Sequence, residues 1–306
     1  MHVDLTIALA GLLVGFTVGL TGMGGGALMT PILILVFKVD PLTAVSSDLV
    51  ASFVMKPVGA GVHLRRGTVD LRLVRWLVLG SVPSAFAGVL LLRAFGDGTH
   101  LQDTLKVFLG AALLLAASTI LVKAVLGRRR GPSTAPGVAT DIVVRPLATV
   151  AVGVVGGLVV GMTSVGSGSL MIVALLLLYP SLRASQLVGT DLVQAIPLVG
   201  AASLGHLLFG DFELGLTTSL LIGALPGVYI GARLSSRAPD HVIKPVLVVV
   251  LAASALKLLG VGTTQVGIAV AAGIVVALAA RATLGRTDRS NPAPAPAAAE
   301  RPRPSA

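Results

Sequence analysis

Apolar runs of roughly 20 residues recur from one end of this chain to the other, each long enough to cross a hydrocarbon core of about 30 Å. Runs such as 113–121 and 246–251 lack the alternating polarity of barrel strands, so the pattern predicts helices. The first five lie at 5–21, 27–37, 42–64, 71–92 and 105–126. A second set follows at 146–163, 168–179, 184–209, 214–234 and 242–259, with one more apolar run at 266–280. The runs 27–37 and 168–179 are too short to span alone.

The two sets are copies. Gly19-Leu-Thr-Gly-Met-Gly-Gly-Gly-Ala-Leu-Met29 returns 142 residues later as Gly161-Met-Thr-Ser-Val-Gly-Ser-Gly-Ser-Leu-Met171, identical at six of eleven positions. After a one-residue insertion the offset becomes 143 and sets Asp48 on Asp191, His63 on His206, Gly80 on Gly223 and Pro83 on Pro226. The domains predicted are a first membrane repeat at 1–126, a cytoplasmic linker at 127–145 and a second repeat at 146–260. An extra transmembrane helix at 261–285 and a disordered Pro/Ala-rich tail at 286–306 complete the chain.

Each duplicated glycine run breaks a helix, because a glycine costs about 1 kcal/mol relative to Ala in a helix interior and here they come in succession. Glycines spaced by four, as at Gly11, Gly15 and Gly19, or Gly153, Gly157 and Gly161, instead form flat ridges for a neighbouring helix.

Charge sets a topology. Arg65, Arg66, Arg72 and Arg75 mark the loop between the third and fourth runs as cytoplasmic, as Arg128 to Arg130 mark the linker. The equivalent loop of the second repeat, Gly210-Asp-Phe-Glu-Leu214, is acidic, and the next one holds Arg233, Arg237 and Lys244. Equivalent loops facing opposite sides make an inverted repeat, which requires each broken helix to be a re-entrant hairpin. The expected count is seven full spans plus two hairpins with the C-terminus cytoplasmic; a kinked-span count gives four plus four plus one.

Hydrophobic residues make up 55% of the chain and charged residues 12%, which excludes an ordinary soluble domain. The net charge of +10 is distributed between spans and in the tail, so it reads as membrane topology and not as a nucleic-acid surface. The absence of cysteine excludes disulfides and thiolate metal sites, and no cofactor or metal is expected.

The candidate chemistry follows from the breaks. Broken helices expose backbone N–H groups near the membrane midplane, where helix N-termini bind anions. The candidate substrate-binding residues are Thr21, Gly24, Gly25 and Gly26 in the first break and Thr163, Ser164, Gly166, Ser167, Gly168 and Ser169 in the second. Asp48 and Asp191 are membrane-embedded carboxylates, which by default mark an ion or proton pathway. Ser47, Thr190 and Gln194 accompany them, and Lys56, whose counterpart is Val199, either helps hold an anion or snorkels to the surface. His63 and His206 sit at run ends and read as interfacial, as does Trp76. Gly22-Met-Gly-Gly-Gly-Ala27 fits a dinucleotide fingerprint, but it follows an apolar span and no βαβ unit. A hydrolase would need Ser167 activated by His206.

The segments GLTGMGGGALMTP at 19–31, AVSSDL at 44–49 and HLRRGTVD at 63–70, with GMTSVGSGSLM, VGTDL and LPGVYIGARL in the second half, resemble the sulfite exporter TauE/SafE family of membrane transporters. The likeness covers about residues 5 to 260. It implies movement of small sulfur-containing anions such as sulfite or sulfonates across a cell membrane. The reading is therefore an all-α polytopic transporter of a small anion, working by alternating access with proton or cation coupling. The alternatives are a passive anion channel or a non-transporting protein such as an intramembrane hydrolase.

Overall fold

The computed structural model describes residues 4–21, 25–95, 98–129, 142–209, 212–234 and 240–273. It is all-helical. The elements are α1 (Leu5–Thr21), α2 (Gly26–Leu35), α3 (Pro41–Arg65), α4 (Leu71–Ala94), α5 (Thr99–Arg129), α6 (Pro146–Thr163), α7 (Leu170–Leu178), α8 (Ala184–Phe209), α9 (Leu214–Leu234) and α10 (Asp240–Leu258). A further helical stretch covers 263–273.

Local chemistry fixes several boundaries. Pro41 and Pro146 open α3 and α6, where a missing N–H costs nothing. Asp70 caps α4 by accepting from the Arg72 and Leu73 amides at 2.9 and 3.1 Å. Asp4 does the same for Thr6 and Ile7, and those two donors hold its carboxyl below the usual carboxylate range. Helix α5 begins six residues before the expected run and continues to Arg129. His100 is thus helical, and the region between the repeats starts later than its composition indicates.

Among the described residues, five helical segments are long and apolar enough to cross a membrane: Leu71–Ala94, His100–Val122, Pro146–Thr163, Ser185–Phe209 and Leu214–Leu234. Helix α3 has 25 residues but carries Asp48, Lys56 and several serines within its length. Large apolar side chains such as Leu9, Leu13, Leu79, Leu115 and Ile222 are exposed on the outside of the bundle. Acyl chains, and not water, suit that surface.

The four-residue glycine ridges bring helix pairs together. Gly11, Gly15 and Gly19 face the backbones of Leu220, Ala224 and Val228, while Gly223, Gly227 and Gly231 face Ala8, Leu12 and Phe16 in return. Because both numbers rise together, α1 and α9 run in the same direction. Gly153, Gly157 and Gly161 face Leu77, Ser81 and Ala85 in the same way, so α6 and α4 are also parallel. A Cβ at these positions would meet carbonyl oxygens, so only glycine permits the approach.

Helices α3 and α8 are sequence counterparts and pack against each other antiparallel: Ser46 meets His206, Phe53 meets Gly200, and Leu192 meets Gly59. Ser81 against Gln194 and Val89 against Gly205 make α4 parallel to α8. Helices α4, α6 and α8 therefore share one direction and α1, α3 and α9 the other, so each helix opposes its counterpart in the other repeat.

The second break turns the chain back. At the end of α7 the Tyr179 hydroxyl accepts from the Arg145 amide at 2.8 Å and pairs with the Thr149 hydroxyl, both at the start of α6. Helices α6 and α7 are thus the two arms of a hairpin whose tip is 164–169. At the end of the bundle where α3 and α9 stop lie Arg65, Arg66, Arg72, Arg75, Arg145, Arg183 and Arg233, with Asp70. The opposite end mixes Asp4, Asp40 and Glu213 with Lys38 and Arg93.

Candidate functional site

The two glycine breaks meet in the middle of the bundle. Gly26, the first residue of α2, lies so close to the Ser164 carbonyl that a Cβ there would overlap it. Ser164 ends α6 in the left-handed conformation (φ 58°), which turns the chain out of the helix. Gly166 and Gly168 follow at φ 124° and 96°, values that only glycine adopts without strain. The Gly166 carbonyl then accepts from the Leu170 amide at 3.0 Å and starts α7. The Ser167 and Gly168 amides make no hydrogen bond among the described residues. Ser169 caps α7 by position but not through its side chain.

Asp48 lies under this junction with none of its surface exposed. Its Oδ2 accepts from the Ser164 hydroxyl at 2.6 Å and the Thr30 hydroxyl at 3.0 Å. Its Oδ1 has no hydrogen-bond partner among the described residues. Gly25 opens the space beside that oxygen: a Cβ on Gly25 would stand 3.8 Å from Oδ1, 3.4 Å from Ser52 Oγ and 3.4 Å from the Met55 methyl.

One helical stretch further along α3, Lys56 is buried as well, at 7% exposure. It does not snorkel. Its ammonium donates to Ser167 Oγ at 3.0 Å, and its charge interacts with Asp191 and then with Asp48. Asp191, 1% exposed, accepts from Gln194 Nε2 at 3.1 Å, and Ser81 donates to Gln194 Oε1 at 3.3 Å. A row of polar groups thus runs through an apolar core from Thr30 by way of Asp48, the second break and Lys56 to Asp191. A lone carboxylate at a membrane helix centre costs about 2.5–3.5 kcal/mol on insertion scales, a cost that the hydroxyl donors on Asp48 and the amide donor on Asp191 offset in part.

Several expected residues lie elsewhere or have other roles. Thr21 and Thr163 donate to their own helices, to the Thr17 and Val159 carbonyls. Thr190 Oγ1 accepts from the Asp70 amide and so anchors the α3–α4 turn. Ser47 Oγ is buried and unpartnered among the described residues. Gly24 lies outside the described residues, as do Asp211 and Arg237.

His206 is corrected from an interfacial residue to a buried one. Its Nε2 donates to the Gly161 carbonyl at 2.8 Å and its Nδ1 meets Ser46 Oγ at 2.9 Å, tying the end of α6 to α3 and α8. It does not face Ser167, so the hydrolase pairing is not formed. Thr30, Ser52 and Ser81 were not singled out from sequence. Ser52 stands one turn from Asp48, a spacing that places both on one helix face; Thr30 and Ser81 lie within apolar runs with no comparable signal.

The chain matches the family model for the sulfite exporter TauE/SafE over residues 7–258. It is 38% identical over 257 residues to YjnA of Bacillus subtilis (strain 168), described as a probable membrane transporter protein; the match covers 84% of this chain and all of that protein. YdhB of the same organism, described in the same terms, is 26% identical over 256 residues, 83% of this chain and 99% of its own. No solved structure matches the chain significantly. A glycine-broken helical bundle with a polar core, matched over residues 7–258 by the family model, belongs to the TauE/SafE family of multi-pass membrane transporters and is not an enzyme.

Proposed function

We propose that this chain moves a small sulfur-containing oxyanion of the sulfite or sulfonate kind across the cytoplasmic membrane by alternating access. The anion sits where the two breaks meet and is held by break amides, the Ser167 hydroxyl and the Lys56 ammonium. Asp48 and Asp191 couple its movement to a proton or cation. The observation that carries this reading is the junction itself: Gly26 against Ser164, with a buried ammonium on Ser167 and the Ser167 and Gly168 amides beside it. Amides at a broken helix and one buried cation suit a compact anion that must bind without being trapped.

The membrane arrangement is an inverted repeat with re-entrant hairpins. Support comes from the antiparallel packing of α3 on its counterpart α8 and from the return of Tyr179 to Arg145. The arginine-rich end is cytoplasmic by the positive-inside rule, and rocking of one repeat on the other along the glycine ridges alternates access.

The test is flux into proteoliposomes holding the full chain, with sulfite, methanesulfonate, thiosulfate and sulfate supplied in turn. Gradient-dependent uptake of at least one, lost in Asp48→Asn and in Asp191→Asn, is the expected result. Conduction that persists in both variants and ignores the proton and cation gradients would make the protein a channel.

A further inference from the structure

The two breaks are duplicates in sequence and differ in their surroundings. At the first, Gly25 stands over Oδ1 of Asp48; at the second, Ser167 accepts from Lys56. The asymmetry is built into the repeat, because Thr30, Ser52 and Lys56 correspond to Ile172, Ala195 and Val199. Asp48 and Asp191 are therefore the same residue placed in unlike sites.

The hydrogen bonds around Asp48 determine which of its oxygens is available. Thr30 and Ser164 each have one hydroxyl hydrogen, and both point at Oδ2. Oδ1 is buried with no hydrogen-bond partner among the described residues; the Ser52 hydroxyl, which interacts with the carboxyl, and the Met55 methyl stand near it. A hard metal cation would need a cage of about six oxygens. A single proton on Oδ1 completes the group, and the resulting O–H is neutral.

The charged neighbours make that proton matter to the anion. Lys56 shares α3 with Asp48, and α8 brings Asp191 to Lys56 and His206 to Ser46 and Gly161. Helix α2 and the tip 164–169 bring no charge, and the charges of α5 and α9 lie towards their ends. While Asp48 is ionised it repels an anion at Ser167 and competes for the Lys56 ammonium. Once neutral it does neither.

Resting on the transport reading above, we infer that the breaks divide the work: the first takes a proton on Asp48 Oδ1, the second takes the oxyanion on Lys56 and Ser167, and the two bind together as a symport pair. Linkage then requires each to tighten the other.

Purified full-length protein in detergent tests this with methanesulfonate, whose charge is constant across the neutral range, and with sulfite, thiosulfate and sulfate. Proton uptake is read with a pH dye in weak buffer, and the protonated carboxyl by its infrared C=O band. The expected result is proton uptake on anion binding and an affinity that falls about tenfold per pH unit once Asp48 ionises. Asp48→Asn keeps an oxygen for Thr30 and Ser164 and mimics the neutral acid, so its affinity should be independent of pH and accompanied by no proton uptake. It should also lack the infrared band, whereas Lys56→Met should lose anion binding and keep the band.

Proton release on binding, or uptake that survives Asp48→Asn, overturns the symport pair. So does affinity that follows sodium at fixed pH. If none of the four anions binds, the transport reading fails instead, while the infrared band and its loss in Asp48→Asn still decide whether the first break holds a proton.

Discussion

The Ser164 hydroxyl, at the tip of the second repeat's hairpin, donates at 2.6 Å to Oδ2 of Asp48 in the first repeat, 116 residues away in sequence. Neither partner is meaningful alone: the serine ends a helix in a left-handed turn, and the aspartate is a buried charge. Together they join the two halves at the place where both helices are broken.

Removing that hydroxyl should loosen the junction. A hydrogen bond to a charged group contributes about 1.5–3 kcal/mol, so Ser164→Ala should lower thermal stability in detergent measurably. Ser164→Gly loses the same bond but relieves the positive φ, worth about 1–2 kcal/mol, against an unfolded-chain entropy penalty of about 0.4–1 kcal/mol for glycine. Glycine should therefore be the milder change, and equal losses would mean that the strain in the left-handed turn is no larger than that penalty.

Two adjacent glycines should respond differently to alanine. At Gly26 the new methyl overlaps the Ser164 carbonyl, and such overpacking typically costs about 1–3 kcal/mol. At Gly25 it stands at ordinary contact distance from Met55 and Ser52 on a helical backbone, so Gly25→Ala should be close to neutral. Thermal melts and flux on the pair would show whether contact between the breaks is needed.

The ridge glycines separate from the incidental ones by the same measurement. Gly157→Ala drives a methyl into the Ser81 carbonyl and should destabilise, whereas Gly61 in α3 has nothing within 4 Å. Gly61→Ala should stabilise by up to about 1 kcal/mol through helix propensity alone.

His206 should behave as a structural pin. His206→Ala leaves the Gly161 carbonyl buried without its donor, a loss of about 1–3 kcal/mol. The melting temperature should fall even with saturating anion present, because the residue ties helix ends and does not touch the junction of the breaks.

Topology is open to direct labelling, since the chain has no cysteine of its own. Single cysteines at Arg66 and Arg183 should react from one side of the membrane and those at Asp40 and Glu213 from the other. Labelling of Arg66 and Glu213 from the same side would rule out the inverted arrangement.

Much of the architecture was legible in the residues. Helix positions follow from run length, because an apolar chain in lipid must satisfy its backbone within a helix. The breaks follow from consecutive glycines, and the repeat from the matched spacing of Asp48 with Asp191 and His63 with His206. The site was legible only in outline. Asp48, Ser164 and Ser167 stood out as polar residues in apolar runs, but Thr21 and Thr163 looked equally suited and donate to their own helices instead. Hydroxyl direction is set by a rotamer and its nearest acceptor, which composition does not encode. His206 was misjudged because its position at the end of a run suggested an interface, whereas α3 and α6 cover it.

By itself the sequence determined that this is a duplicated helical membrane protein with paired helix breaks, since hydrophobic length and glycine spacing are local properties. Only the tertiary structure decided that Asp48 belongs to the other repeat's serine and that Lys56 stays inside on Ser167. Those pairings join segments more than a hundred residues apart, and they exist because close glycine packing brings the segments together at one depth.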